Sequence, residues 1–187
     1  MPSPRLLIAL PSWVDDFVDW QRRYPAVEDR MDLVIQVGRE QVQRGTGGPF
    51  SAAVFERDSG ALVAVGVNLA VPSHNCVLHA EVVALMLAGA RLHNHSLAAE
   101  GMPPHELVSS CDPCAMCLGA AFWSGVSSLV TGAAREDAEA IGYDEGPVFP
   151  ESWAYLEQKG VRVRREVRRA EARGVLSAYV AAGGVIY

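Results

Sequence analysis

The chain has 187 residues, of which half are hydrophobic and a fifth are charged. That length suits one compact domain with a sizeable core, and the composition excludes a disordered chain. The formal net charge of −6 argues against a surface built as a whole to hold a phosphate backbone. The apolar stretches are too short to cross a membrane, so no membrane association is expected.

Hydrophobic periodicity and chain-breaking residues divide the sequence into helices and strands in a mixed order. Helices are predicted over residues 15–24, 28–44, 79–92, 112–124, 136–141, 152–159 and 168–182. Strands are predicted over residues 51–56, 61–69, 106–110, 127–131 and 161–167. A hairpin followed by strands that alternate with helices predicts an α/β sandwich around one mixed sheet.

Three of the four cysteines lie within seven residues, at positions 111, 114 and 117. A disulfide framework would spread its cysteines along the chain, so this cluster indicates metal or redox chemistry in a reducing, cytoplasmic setting. Cys114 and Cys117 are three residues apart at the start of a predicted helix, which places both sulfurs on one side of the chain. The positive end of the helix favours thiolates over thiols.

His79 can complete a zinc site with these two sulfurs. One imidazole and two thiolates give a tetrahedral Zn²⁺ three protein ligands and leave its fourth position open for water, as a catalytic site requires. Glu81 is the candidate general acid and base, which would move protons without binding the metal. Residues two apart on a regular helix face nearly opposite ways, so His79 must lie at or before the first turn.

The motifs His79-Ala80-Glu81 and Pro113-Cys114-Ala115-Met116-Cys117 match, in order, the signature of zinc deaminases. The sequence here resembles the cytidine-deaminase-like superfamily, and within it bacterial guanine deaminases. Further stretches carry that resemblance: residues 47–50, 67–68, 109–114, 119–123 and 142–145. It implies a three-layer α/β/α sandwich around a mixed five-stranded sheet, and hydrolysis of guanine to xanthine and ammonia. Residues 28–187 would form this zinc deaminase domain, preceded by an N-terminal extension over residues 1–27.

Carried over position by position, the resemblance implies substrate contacts from Phe50, Asn68, Ala80, Trp123, Glu145 and Tyr187. Asn68 would hold a ring edge, because an amide both donates and accepts hydrogen bonds, and Phe50 would stack on the ring face. Glu145 would read the purine edge or carry a second proton to the departing ammonia. Trp123 would form a pocket wall. Phe50 and Trp123 could instead be core residues, and Glu145 could be a solvated loop acid.

The apolar C-terminal tail, residues 181–187, ends in Tyr187. It resembles guanine deaminases in which the tail crosses to a neighbouring subunit and closes its pocket, and the alternative is a frayed end. The resemblance also implies a homodimer. The extension carries Trp13, Phe17 and Trp20, which could pack on the body or on a partner.

Three alternatives to guanine deamination are open at this point. A tRNA adenosine deaminase would need a basic face, and an arginine cluster over residues 162–173 is the one feature in its favour, although the acidic chain makes a nucleic-acid partner unexpected. The ring could differ: guanosine, an aminated triazine, a cytosine derivative or an oxidised guanine. A non-catalytic zinc-stapled domain would close the metal site with Cys76 as fourth ligand. We expect Cys76 and Cys111 to be small buried residues instead, and Asp112 to be a helix N-cap.

Overall fold

A mixed five-stranded sheet lies at the centre of the computed structural model, which describes residue 3 and residues 6–187. Its strand order is β2-β1-β3-β4-β5. The strands are β1 (Ser51–Glu56), β2 (Leu62–Val67), β3 (His105–Cys111), β4 (Ser128–Ala133) and β5 (Arg162–Arg164). β1 is antiparallel to both β2 and β3, whereas β3, β4 and β5 run parallel.

Helices cover both faces of the sheet. They are α1 (Trp13–Phe17), α2 (Val27–Arg44), α3 (Ala80–Leu92), α4 (Ala115–Ser124), α5 (Arg135–Glu139), α6 (Pro150–Gln158) and α7 (Arg169–Ala181). α2 and α7 pack together on one face, and α3 and α4 pack together on the other. The predicted three-layer α/β/α sandwich is therefore confirmed. Within the described ranges, no helix combines the length and the apolar character needed to span a lipid bilayer.

Strands β1 to β4 are buried on both faces, as is typical of a sheet covered by helices on each side, whereas β5 at the edge is largely exposed. Ala53 and Phe55 of β1 enter the core beneath α2 and α7, while Ala52 and Val54 enter the core beneath α3 and α4. Successive residues of a strand point to opposite faces, so one short segment supplies both cores.

The strand directions bring three chain segments to one edge of the sheet. Ser51 of β1 pairs with Val67 of β2, and Ala52 pairs with Ser109 of β3. The start of β1, the end of β2 and the end of β3 therefore lie side by side. Phe50, Asn68 and the loop after Cys111 come directly after or before these strand ends, and the chain places its chemistry there.

Two predicted elements end earlier than expected. The first helix ends at Phe17 rather than Tyr24, because the Asp19 carboxylate accepts hydrogen bonds from the backbone of Gln21 and Arg22 and forms a turn. The last strand ends at Arg164, because Glu166 and Arg168 adopt left-handed backbone angles, with φ of 62° and 54°.

The predicted helix start at Asp112 is also wrong. The N-cap of α4 is Cys114, and Asp112 lies in the loop before it. The Asp112 carboxylate is buried and turned toward β4 and β5, where it accepts hydrogen bonds from Thr131 and Arg165. It anchors the loop to the sheet instead of capping the helix.

The described part of the predicted extension packs on the body of the molecule. Trp13, Val14, Val18 and Tyr24 are buried in the core on the α2 side of the sheet. Residues 1, 2, 4 and 5 of that extension lie outside the described residues.

Candidate active site

His79, Cys114 and Cys117 converge at the edge of the sheet where β3 ends. The Nδ1 atom of His79 lies 3.5 Å from the Cys114 sulfur and 3.6 Å from the Cys117 sulfur. All three potential ligand atoms lie within 4.8 Å of one another. One imidazole and two sulfurs at this spacing suit a tetrahedral zinc ion, so the residues present fit the metal.

Two helix N-termini produce this convergence. His79 is the N-cap of α3 and Cys114 is the N-cap of α4, and both have extended backbone angles. The expectation that His79 precedes the first turn therefore holds, and this is what allows His79 and Glu81 to line the same cavity despite their spacing. Both helices direct the positive ends of their dipoles at the sulfurs.

The two cysteine sulfurs shift each other's pKa in opposite directions. A hydrogen bond between them lowers the pKa of Cys114 to about 4 and raises the pKa of Cys117 far above its ordinary value. The lowered pKa of Cys114 favours its thiolate, which is the form that binds a metal.

Cys76 does not belong to this metal-ligand group. Among the described residues, the group of potential ligands holds His79, Cys114 and Cys117 alone. Cys76 is exposed, because it lies in the loop before α3, so the expectation of a buried Cys76 is wrong. Cys111 is buried, as expected, and its thiol faces the carbonyl of Ala134. The arrangement favours a three-ligand site over the closed four-ligand alternative.

Glu81 is the buried carboxylate beside this group. Its side chain accepts a hydrogen bond of 3.1 Å from the Ser109 hydroxyl, and only 5% of the residue is exposed. Burial raises the pKa of Glu81, and the charge of the neighbouring Cys114 raises it further. A carboxyl group with a raised pKa can both take and return a proton near neutral pH, as a general acid and base must.

A cavity of about 170 Å³ opens over the metal-ligand group. Its lining includes His79, Cys114, Glu81 and Glu145 together with three aromatic residues, Phe50, Tyr143 and Tyr187. The Phe50 and Tyr143 rings meet edge to face with centroids 4.9 Å apart, and Tyr143 meets Tyr187 at 5.7 Å. Flat aromatic walls next to carboxylates suit a flat ring that carries N–H groups.

Glu145 reaches the cavity from the loop between α5 and α6. Its carbonyl accepts a hydrogen bond from the backbone of Ala115, which ties this loop to the start of α4. Arg135 holds the same loop through the carbonyl of Val148, at 2.7 Å. Burial, together with the nearby charge of Glu81, raises the pKa of Glu145 to about 8. Glu145 is thus a buried cavity residue rather than a solvated loop acid.

Asn68 is buried behind Tyr187. Its side-chain oxygen accepts hydrogen bonds from the Tyr187 hydroxyl, at 2.8 Å, and from the backbone of Ala70. Its side-chain nitrogen is the one buried side-chain polar atom without a hydrogen-bond partner in the described chain. An unpaired buried donor is costly, so its presence directly behind Tyr187, which lines the cavity, is typical of a ligand-binding position.

The C-terminal tail lies over the cavity of its own chain. Besides its bond to Asn68, the Tyr187 ring lies 6.5 Å from the His79 ring, edge to face. Tyr179 donates a hydrogen bond of 3.0 Å to the carbonyl of Val185 and so holds the tail down. The tail is held against the body of its own chain rather than frayed, and Tyr187 lines the cavity of that chain.

Three predicted contact residues do not line the cavity: Asn68, which lies behind Tyr187, and also Trp123 and Ala80. The Trp123 side chain is 81% exposed at the end of α4 and contacts Phe122, so it is neither a pocket wall within one chain nor a core residue. The physical reason is that α4 starts at the site and runs away from it. Ala80 is fully buried in the first turn of α3, and its methyl group packs into the core beneath α3 and α4.

Sequence reasoning missed four cavity residues. Four residues that line the cavity were not assigned to it from the sequence: Cys76, Asp112, Tyr143 and Asp144. For Tyr143 a signal existed, because an aromatic residue two positions before Glu145 is a natural neighbour for it. For Asp112 and Cys76 the position depends on how two loops fold back, which periodicity does not reveal.

The arginine cluster is largely occupied by internal ion pairs. Arg165 pairs with the buried Asp112, Arg168 pairs with Asp32, and Arg169 pairs with Asp137. Arg164 pairs with Glu28. These ion pairs join β5, the segment after it and α7 to α2, to α5 and to the loop before α4. The four arginines therefore stabilise the fold.

Comparison with known proteins identifies several relatives. A family described as the cytidine and deoxycytidylate deaminase zinc-binding region matches residues 26–133. The chain is 35% identical over 124 residues to guanine deaminase of Bacillus subtilis, covering 66% of this chain and 75% of that protein. The crystal structure of guanine deaminase from Nitrosomonas europaea is similar at 44% identity and a TM-score of 0.91, covering 97% of this chain and 99% of that one. A structure in complex with 2,6-diaminopurine is similar at 46% identity and a TM-score of 0.91, covering 97% and 95%.

The geometry predicts which side chains hold the metal. Purified protein should carry one zinc per chain, and Cys114→Ser or Cys117→Ser should lower the zinc affinity by at least about 10-fold, because each removes one thiolate. Elemental analysis after dialysis against a competing chelator measures this. Cys76→Ser is the matched control and should keep full zinc. Loss of zinc from that control would indicate the four-ligand site.

Proposed function

This chain belongs to the deaminase family defined by the cytidine and deoxycytidylate deaminase zinc-binding region, and from that premise we propose that it hydrolyses guanine to xanthine and ammonia. Membership of this family supports the predicted zinc cofactor. One observation carries the proposal: two of the three grouped metal ligands, His79 and Cys114, line a single aromatic-walled cavity together with the buried carboxyl groups of Glu81 and Glu145. Relatives that span nearly the whole chain are guanine deaminases or bind an aminated purine.

His79, Cys114 and Cys117 would hold the zinc, and the two thiolates would neutralise its charge. When bound, zinc acts as a Lewis acid that acidifies water and so supplies a nucleophile at neutral pH. Two neighbouring buried carboxyl groups rarely ionise together, so one of them remains a proton donor.

Glu81 and Glu145 would divide the proton transfers. Glu81 takes a proton from the attacking water and passes it to the ring nitrogen beside the carbon that bears the amino group. Glu145, protonated near neutral pH, can donate to the exocyclic amine as the carbon–nitrogen bond breaks. The second proton of the attacking water returns to Glu145 as the new carbonyl forms, so water supplies the oxygen of xanthine, ammonia carries away the amine and both carboxyl groups are restored.

Phe50, Tyr143 and Tyr187 would enclose the ring, and Asn68 would offer its unpaired amide donor to a ring acceptor once Tyr187 moves. A small substrate is favoured over tRNA because at least four arginines of the basic cluster are already paired with carboxylates. Thiolate ligands require a reducing compartment, which supports a cytoplasmic location.

A second copy of the chain is the proposed partner. Met86 of α3 and Met116 and Trp123 of α4 are large apolar side chains exposed on the outer face of one helix layer. α4 shows no charged residue along its whole length, which is unusual for a helix with a solvent-facing side. Clustered apolar exposure of this kind marks a protein interface. The tail already covers its own cavity, so this dimer needs no exchange of tails.

The role of Glu81 is tested by Glu81→Gln. Turnover of guanine should fall by at least about 100-fold because an amide cannot carry the proton, while zinc content and melting temperature stay near those of the unaltered chain. Ammonia release is measured with a panel of purines, pyrimidines, nucleosides and triazines. The assay reports both the effect of the Glu81 substitution and which ring is the substrate. The exposed Glu151→Gln is the control and should keep full activity. Near-normal rates for the Glu81 variant would contradict the mechanism.

The dimer is tested by Trp123→Glu. Placing a charge in the apolar face should shift the mass measured by light scattering from two chains to one, at micromolar concentration. Val180→Glu is the control, because Val180 is an exposed apolar residue on α7, in the opposite layer. A monomeric mass for the unaltered protein, or an unchanged mass for the variant, would contradict this surface as the interface.

A further inference from the structure

A continuous chain of hydrogen bonds joins the N-terminal segment to Asn68. The indole N–H of Trp13 donates to the Thr46 hydroxyl at 3.1 Å. That hydroxyl donates to the side-chain oxygen of Gln41 at 2.7 Å. The side-chain nitrogen of Gln41 donates to the main-chain carbonyl of Asn68 at 3.0 Å. These four residues, Trp13, Thr46, Gln41 and Asn68, form what we call the Gln41 relay.

The direction of every bond in the relay is fixed by chemistry. Trp13 can only donate, so the Thr46 hydroxyl must accept from it and donate onward. The Gln41 oxygen must therefore face Thr46, which leaves its nitrogen to face the Asn68 carbonyl. Gln41 is fully buried, so no water can replace a lost partner without opening the core. A relay with one possible polarity holds its last member in one position.

Two glycines, Gly47 and Gly48, allow the backbone to lie in close contact with Gln41 and Asn68 at the end of the relay. A Cβ atom at Gly47 would lie 2.0 Å from the Gln41 side-chain nitrogen and 2.2 Å from the Asn68 carbonyl oxygen. A Cβ atom at Gly48 would lie 3.1 Å from the Asn68 side chain, and the Gly48 N–H also donates to the Asn68 carbonyl. Only glycine allows this approach, and it leaves Asn68 little room to shift.

The relay ends on a residue whose side chain has a free donor. Asn68 has an unpaired amide nitrogen and lies against Tyr187, which lines the cavity. We propose that Gln41 is a positioning residue for Asn68, and that Trp13, through Thr46, couples the N-terminal segment to the affinity for substrate. This inference rests on the proposed function only in taking Asn68 as a substrate contact.

The first experiment separates positioning from general destabilisation. Gln41→Met keeps the volume of the side chain and removes both of its hydrogen bonds. KM for guanine should rise by roughly 10-fold while kcat changes by less than about twofold, because the zinc and carboxyl groups are untouched. In an Asn68→Ala background the same change should add less than about twofold, because the contact it positions is gone. Equal effects in both backgrounds would overturn the proposal.

The second experiment keeps Gln41 intact, in case its replacement prevents folding. Trp13→Phe and Thr46→Val each break the relay at its outer end and should raise KM by about threefold, whereas Thr46→Ser should restore the value of the unaltered chain. Trp20→Phe is the matched control, because Trp20 lies on the same segment but contacts Arg91 instead. An equal rise in the control, or no rescue by serine, would count against the relay.

Hydrogen exchange gives a readout that does not depend on the substrate. In Gln41→Met, the amides of residues 47, 48, 50 and 68–70 should exchange at least about 10-fold faster than in the unaltered chain, with α3 and α4 unchanged. If the unaltered chain releases no ammonia from guanine, the proposed function fails, and exchange alone decides the relay. If guanine is deaminated but neither KM nor exchange responds, only the positioning role fails.

Discussion

The site depends on the meeting of two helix N-termini above one edge of the sheet. α3 begins after the loop from β2, and α4 begins after the loop from β3, so their first residues face one another. Because His79 and Cys114 are both N-caps, their side chains are free of the helical directions that would separate them. Each helix also contributes positive potential where the sulfurs lie. The N-cap positions of His79 and Cys114 thus bring the imidazole and the two sulfurs together, and the helix dipoles favour thiolates there.

Electrostatics explains why this arrangement calls for a divalent cation. Two sulfurs and the carboxyl groups of Glu81 and Glu145 are held in one partly enclosed volume with His79 as the one basic neighbour in the cavity lining. Burying that much potential negative charge is unfavourable unless a cation or protons compensate. Protons are one such compensation, since the pKa values of Cys117, Glu81 and Glu145 are all raised. A bound metal would replace the thiol proton and leave a carboxyl proton available for transfer.

Much of the fold and part of the site followed from the sequence because they depend on local patterns. The mixed sheet, the layer arrangement and the placement of His79 before the first turn all rest on periodicity and caps. Trp123 and Asp112 were misplaced for a different reason: helix direction and a buried ion pair with Arg165 decide where they lie, and both depend on distant parts of the chain. The roles of Asn68 and Glu145 in binding and proton transfer stay predictions, although both are buried beside the cavity.

X-ray absorption of the zinc-loaded protein tests the central claim most directly, because it counts the atoms around the metal. The account predicts two sulfur ligands at about 2.3 Å and two lighter atoms at about 2.0 Å, one from His79 and one from solvent. Addition of an aminated purine should alter the signal of the lighter atoms and leave the sulfur signal unchanged. A count of three sulfur ligands would contradict an open catalytic site. So would a spectrum that does not change when the purine is added.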